Sequence, residues 1–173
     1  MQAMVMRRAS AMALALAALC STASADDASG RWRFGEAQNG QVTAALLATS
    51  KLSTAGGALS YSPVLTIACD MGGDPHWREW LGINDKVSSG GTITMRVTID
   101  SDSFDETWAV HRGGKVLFRA GADGVASLAS AGRLSLSWRF GLLSGRGEAR
   151  FDLTGAEEAI GRIAEACGTT PPA

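Results

Sequence analysis

Thr92-Ile-Thr-Met-Arg-Val-Thr-Ile-Asp100 (TITMRVTID) alternates without a break: Ile93, Met95, Val97 and Ile99 fall on one side of an extended chain, Thr92, Thr94, Arg96 and Thr98 on the other. Strand side chains point to opposite faces in turn, so this stretch predicts a strand with one face in a core and one in water. The pattern returns in Arg133 to Phe140, where Leu134, Leu136, Trp138 and Phe140 oppose Ser135, Ser137 and Arg139. It returns again in Glu148 to Thr154 through Ala149, Phe151 and Leu153. Half-solvated strands belong to antiparallel sheets, because parallel strands are covered on both faces and read as continuous apolar runs. The expected fold is therefore mainly β, an antiparallel β-sandwich or open barrel.

Outward from these segments, further strands are expected at Trp32 to Glu36, Val42 to Leu52, Val64 to Cys69 and Trp77 to Ile83, separated by Gly, Ser, Asn and Asp. Gly113-Gly114 lies between Trp108 to Arg112 and Lys115 to Ala120, which predicts a hairpin with a two-residue primed turn. The C-terminus changes period. Ala156, Ala159, Ile160, Ile163, Ala164 and Cys167 recur at helical spacing and leave Glu157, Glu158, Arg162 and Glu165 outside. An amphipathic helix is expected over residues 155–167, with Thr154 and Glu157 as a capping box and Gly168 as the stop. A shorter helix is expected from Gly124 to Ala131.

The first 25 residues carry no acidic side chain. Arg7 and Arg8 precede the apolar run Ala11 to Leu19, and Ala23-Ser24-Ala25 follows, the layout of a secretory signal peptide cleaved after Ala25. The apolar run is about half of the roughly 20 residues a membrane anchor needs. Residues 26–173 then form a single β-rich domain of 148 residues, with 14 basic and 17 acidic side chains. That mildly acidic balance excludes an electrostatic pull toward nucleic acid or anionic lipid, and no membrane span is expected after cleavage. Cys20 leaves with the signal. Cys69 and Cys167 remain, and an even pair in an exported domain reads most simply as a disulfide. Cys69 is in phase with Leu65 and Ile67, so the bridge would tie the C-terminal helix to a central strand.

The sequence lacks the marks of an enzyme. There is no Gly-x-Ser-x-Gly elbow, no HExxH and no phosphate loop. Of the two histidines, His111 is expected on the outward face of its hairpin, and His76 follows Asp70 and Asp74 in a short acidic turn. The acidic stretch Asp100 to Glu106 lacks calcium-loop spacing and reads as a solvated loop. No metal or cofactor is expected. Binding is the better class: Trp77, Arg78 and Trp80 form the candidate partner-binding set, because Trp and Arg dominate interface hot spots. Trp77 and Trp80 stand three apart, so on a strand they face opposite sides.

The order of features resembles the VasI/TagO-like proteins associated with type VI secretion systems of Gram-negative bacteria. The matching residues are the Pro-x-Leu-x-Ile-x-Cys strand (Pro63, Leu65, Ile67, Cys69), the following Trp77 and Trp80, and Arg96, Ile99 and Asp100 leading to Trp108. The ending from Phe151 to Cys167 matches as well. The segment after Trp32 departs from the family pattern, and no aromatic residue follows the last cysteine. The chain also resembles, more loosely, the invasion-associated locus B proteins, which share the export signal and the helix-cysteine ending. These resemblances imply a periplasmic, non-enzymatic accessory protein acting on an envelope or secretion-system partner. The alternative is a small secreted inhibitor of a protease or lysozyme, presenting a rigid loop such as Met71 to His76.

Overall fold

The structure, a computed structural model, describes residues 31–36, 41–54, 57–70, 76–88, 90–141 and 145–173. The signal peptide with its cleavage site, Asp74, and the Met71-to-His76 loop up to its last residue lie outside the described residues. Eleven strands and two α-helices are present among them. The strands are β1 (Arg33–Glu36), β2 (Val42–Leu47), β3 (Leu52–Ser53), β4 (Ser60–Tyr61), β5 (Val64–Asp70), β6 (His76–Gly82), β7 (Thr92–Ile99), β8 (Asp102–His111), β9 (Val116–Ala120), β10 (Arg133–Arg139) and β11 (Arg146–Asp152). The helices are α1 (Ala122–Ala129) and α2 (Ala156–Cys167).

Nine strands form one antiparallel sheet in the order β1-β2-β5-β6-β9-β8-β7-β10-β11, and β3 pairs with β4 in a separate ribbon. The fold is thus the expected mainly antiparallel one, realised as an open sheet rather than a closed barrel. Its inward side chains, among them Leu65, Ile67, Leu81, Met95, Trp108 and Leu136, join one buried cluster with the apolar face of α2. The far edge of the sheet is covered. Beyond β2 the Thr49 N–H donates to the Arg150 carbonyl at 2.7 Å, and the Arg150 N–H donates to Ser50 Oγ at 3.0 Å. These bonds occupy the backbone groups that an edge strand would otherwise offer to another chain.

Those bonds also explain why the strand expected from Val42 to Leu52 ends at Leu47. The chain leaves the ladder there to reach β11, and Leu52–Ser53 pairs with Ser60–Tyr61 instead. The hairpin expected about Gly113-Gly114 forms between β8 and β9, but the two-residue turn lies elsewhere. Ile99 pairs with Asp102, so Asp100-Ser101 makes the tight turn, with Asp100 at φ 52° and its carboxylate accepting from the Gly132 and Arg133 N–H groups. The acidic stretch expected as a solvated loop is thus this turn and the first half of β8, where Asp105 bonds Arg96 at 2.7 Å. The β8–β9 connection is longer than Gly113-Gly114: Arg112–Gly114 form a 3-10 turn, with His111 paired to Val116.

The C-terminal helix begins one residue later than expected and buries Ala156, Ala159, Ile160, Ile163 and Ala164. Full burial of each isoleucine contributes about 1.5–3 kcal/mol. The capping box does not form: Gly155 occupies the N-cap at φ 81°, and Thr154 Oγ1 bonds Asp152 at 2.6 Å. Gly168 ends the helix in the left-handed conformation at φ 67°, as a C-terminal glycine does. The short helix lies at Ala122–Ala129, two residues upstream of its expected position. Cys69 and Cys167 are bonded, with Cα atoms 6.2 Å apart, and join the end of β5 to the last turn of α2.

One core contact yields a test. Gly147 of β11 lies opposite Trp138, and a Cβ added there would stand 2.5 Å from the indole ring. Overpacking of this kind costs about 1–3 kcal/mol. Gly147→Val is expected to lower the urea midpoint accordingly, whereas Gly161→Ala, on a helix position with open space around it, is not.

Candidate functional site

The outer face of the sheet has two characters. Over β7, β10 and β11 it is polar, as the alternation predicts: Thr98 bonds Ser103 at 2.7 Å, and Glu148 bonds Arg150 at 2.7 Å and Ser135 at 3.2 Å. The Arg150 bond holds the Glu148 carboxyl below its usual range. Over β2, β5, β6 and β9 the outer face is apolar. The sequence shows why, because Val64 to Cys69 is a nearly unbroken apolar run that is buried on both faces.

Register aligns this apolar half in three cross-strand rows. Thr43, Ala68, Arg78 and Ala120 make the first. Ala45, Thr66, Trp80, Phe118 and Ala109 make the second, and Leu47, Val64, Gly82, Val116 and His111 the third. A groove of about 950 Å³ runs over β6 and β9 along these rows, from the start of α1 to the β8–β9 turn. Trp80 and Phe118 lie at its middle, His76 and Arg78 at one end, His111 and Arg112 at the other. Two arginines and two histidines line it, and among the described residues that line it none is acidic. Outside it Asp70 pairs with Arg78 at 2.9 Å. His111 stacks edge-on against Phe118 with ring centroids 5.3 Å apart.

The rim at Arg112 is built rigidly. Arg112 itself adopts φ 48°, followed by Gly113 at 66° and Gly114 at 92°. The Gly114 carbonyl accepts from the Val87 N–H at 2.9 Å, and a Cβ on Gly114 would stand 2.6 Å from the Val87 carbonyl. A non-glycine residue held in the left-handed region costs about 1–3 kcal/mol and persists where its surroundings over-determine it, often at ligand sites.

Of the candidate partner-binding set, Arg78 and Trp80 stand on this outer face, half-buried, while Trp77 also borders the groove but points inward and is 6% exposed. The two tryptophans do face opposite sides. His111 is exposed on the outer face as expected. Phe118, Val116 and the His111–Arg112 rim join the set only in the structure. Their signal in the sequence is ambiguous, because Val116-Leu-Phe-Arg-Ala120 places apolar residues on both faces.

The reason for that ambiguity lies on the other side of β9. Arg119 points inward, where its guanidinium donates to both Glu79 and Glu106 and lies 5.1 Å from the Trp108 ring centre. Trp108 Nε1 donates to Glu106 at 3.1 Å. Glu79, which in the sequence reads as a flank of the tryptophans, is 1% exposed. Burial pushes its carboxyl above the ordinary glutamate value, the Arg119 charge pulls it back, and Glu106 adds to the rise. Among the described residues, Glu79 Oε1 and Arg119 Nε make no hydrogen bond. The period-two phase of Glu79 with Trp77 and Leu81 was the available signal for this cluster.

No group of three or more His, Cys, Asp or Glu side chains placed to hold a metal ion occurs among the described residues. No described helix is long and apolar enough to cross a membrane. No protein-family model matches the chain, and no curated protein matches it. Among solved structures it is similar to the crystal structure of invasion associated protein B from Bartonella henselae, with a TM-score of 0.52 and 12% identity. The likeness covers 77% of this chain and 91% of that one. At that identity it establishes a shared fold, and it falls on the looser of the two resemblances read in the sequence.

Proposed function

We propose that the protein is a non-enzymatic accessory component of the bacterial envelope, periplasmic after cleavage behind Ala25, serving a type VI secretion or related system through protein contacts. The observation that carries this reading is the aromatic and cationic groove on the outer sheet face. Apolar patches rimmed by polar groups mark interaction sites, and Trp80 and Arg78 are the residue types that anchor them. The disulfide supports an oxidising compartment, where such bonds persist. The likeness in fold to a protein named as invasion associated supports a role outside the cytoplasm.

The test follows the chain in its own cells. Osmotic-shock release with Asp26 as the new N-terminus is expected, together with a specific cross-link from a photoreactive residue at position 80 to an envelope protein. Retention in the cytoplasm with Met1 intact would remove the reading. Unchanged type VI effector release in a deletion strain would remove its secretion-system part. Inhibition of a lysozyme or an extracellular protease by the purified protein would favour the inhibitor instead.

A further inference from the structure

The ends and the middle of the groove differ in chemistry. Measured along β9, the Arg78–Ala120 row and the His111–Val116 row are four residues apart, about 13 Å at the ~3.3 Å rise of a strand. His76 and Arg78 stand at one end, His111 and Arg112 at the other, and Trp80 and Phe118 between them. The complementary ligand therefore has an apolar centre and a negative charge at each end.

Several occupants conflict with this layout. A second copy would set the same cationic rim against itself. A duplex or an anionic bilayer presents its charge to a whole face of a domain that has more acidic than basic side chains once residues 1–25 are set aside, 17 against 14, whereas a short segment meets the groove alone. A single-headed amphiphile satisfies only one end, and an open groove leaves much of its chain in water. The groove lies on a sheet face, so a bound strand gains no ladder bonds and recognition rests on side chains. A short extended segment of about five or six residues spans the required distance.

We infer that the groove binds an acidic peptide segment of a partner protein, in which one aromatic or large aliphatic side chain is flanked on both sides by carboxylates. The apolar side chain sits against Trp80 and Phe118. The carboxylates meet Arg78 and His76 at one end and Arg112 and His111 at the other. The Arg78–Asp70 pair orients the first of these cations, and the left-handed Arg112 backbone presents the second. This deepens the accessory reading and rests on it for the identity of the partner alone.

The experiment is fluorescence anisotropy of a labelled Asp-Glu-Ala-Phe-Ala-Glu-Asp peptide titrated with the full mature protein. Saturable one-to-one binding is expected. It weakens about 10-fold with Trp80→Ala and about 10-fold with Arg112→Glu, and falls with added salt. Arg146→Glu, on the polar half of the outer face, changes it less than about twofold. Arg112→Gly separates binding from folding, because it relieves the left-handed backbone: its melting temperature stays at or above that of the parent while affinity falls. Equal binding of a peptide with Lys in place of each Asp and Glu, or of one with Ser in place of Phe, overturns the proposal. So does tighter competition at the same site by dodecyl phosphate, or insensitivity to Trp80→Ala and Arg112→Gly. If no peptide binds but the position-80 cross-link in cells persists, the acidic-segment proposal fails and the accessory reading stands. If the peptide binds but the chain stays in the cytoplasm, the accessory reading fails and the groove stands.

Discussion

Replacing Cys69 and Cys167 together by alanine lowers the stability of the domain by about 4 kcal/mol and its melting temperature by roughly 8–16 °C. The two residues are 98 apart in the chain, so the bond removes a large set of open conformations from the unfolded ensemble. It also joins two elements with no other covalent shortcut between them: β5, third from the β1 edge of the sheet, and the last turn of α2. Without it the twelve-residue helix is held by non-covalent contacts, among them its apolar face, its caps and Arg162 stacked 3.8 Å over the Phe34 ring. Amide exchange in α2 should therefore accelerate ahead of that in β5, whose backbone is paired on both sides. Urea unfolding with and without reductant checks the first point, and hydrogen exchange by mass spectrometry the second. A reduced protein with an unchanged urea midpoint would remove the argument.

Arg119→Met is expected to cost about 3–5 kcal/mol, since it leaves the buried Glu79 carboxylate facing the part-exposed Glu106 with no cation between them. Replacing Glu79, Arg119 and Glu106 together by apolar residues of similar volume should cost far less, or stabilise, because no charge is then left to desolvate. The pair of variants distinguishes a cluster that is needed from one that is merely intolerant of being broken. The pH dependence carries the same signature. The folded-state value of Glu79 is raised above the ordinary 4.5, so its contribution is fully present below about pH 4.5 and is lost as pH rises through the raised value. Across that window the unfolded chain has released a proton that the folded chain retains. Glu79→Gln should flatten this part of the stability profile measured by urea titration between acid and neutral pH. An identical slope in parent and variant would show that Glu79 titrates normally.

Alternation made β7, β10 and β11 legible, because in those strands one face is solvated and composition reports orientation directly. It was less informative in β6 and β9. There the outer face is apolar, and the inner face accepts Glu79 and Arg119, so polarity no longer tells inside from outside. Asp102–His111 was harder still: its Asp and Ser residues have weak strand preference, and it is a strand because β7 pairs with it from Asp102 to Ala109 and β9 from Ala109 to His111. The groove shares this origin. Trp80 and Arg78 could be picked out by residue type, but Phe118 and Arg112 belong with them only through the β6–β9 and β8–β9 registers.

What the chain's own order of residues determined was local or statistical in nature: the strand class, the amphipathic C-terminal helix and the pairing of Cys69 with Cys167. Each follows from periodicity or from counting, which need no knowledge of neighbours. Tertiary structure alone decided the strand order, the turn at Asp100-Ser101, the inward Glu79–Arg119–Glu106 cluster and the convergence of aromatic and cationic side chains on one open face. Those features depend on which residues stand opposite one another across hydrogen-bonded strands, and that register is set by how the whole sheet buries its core.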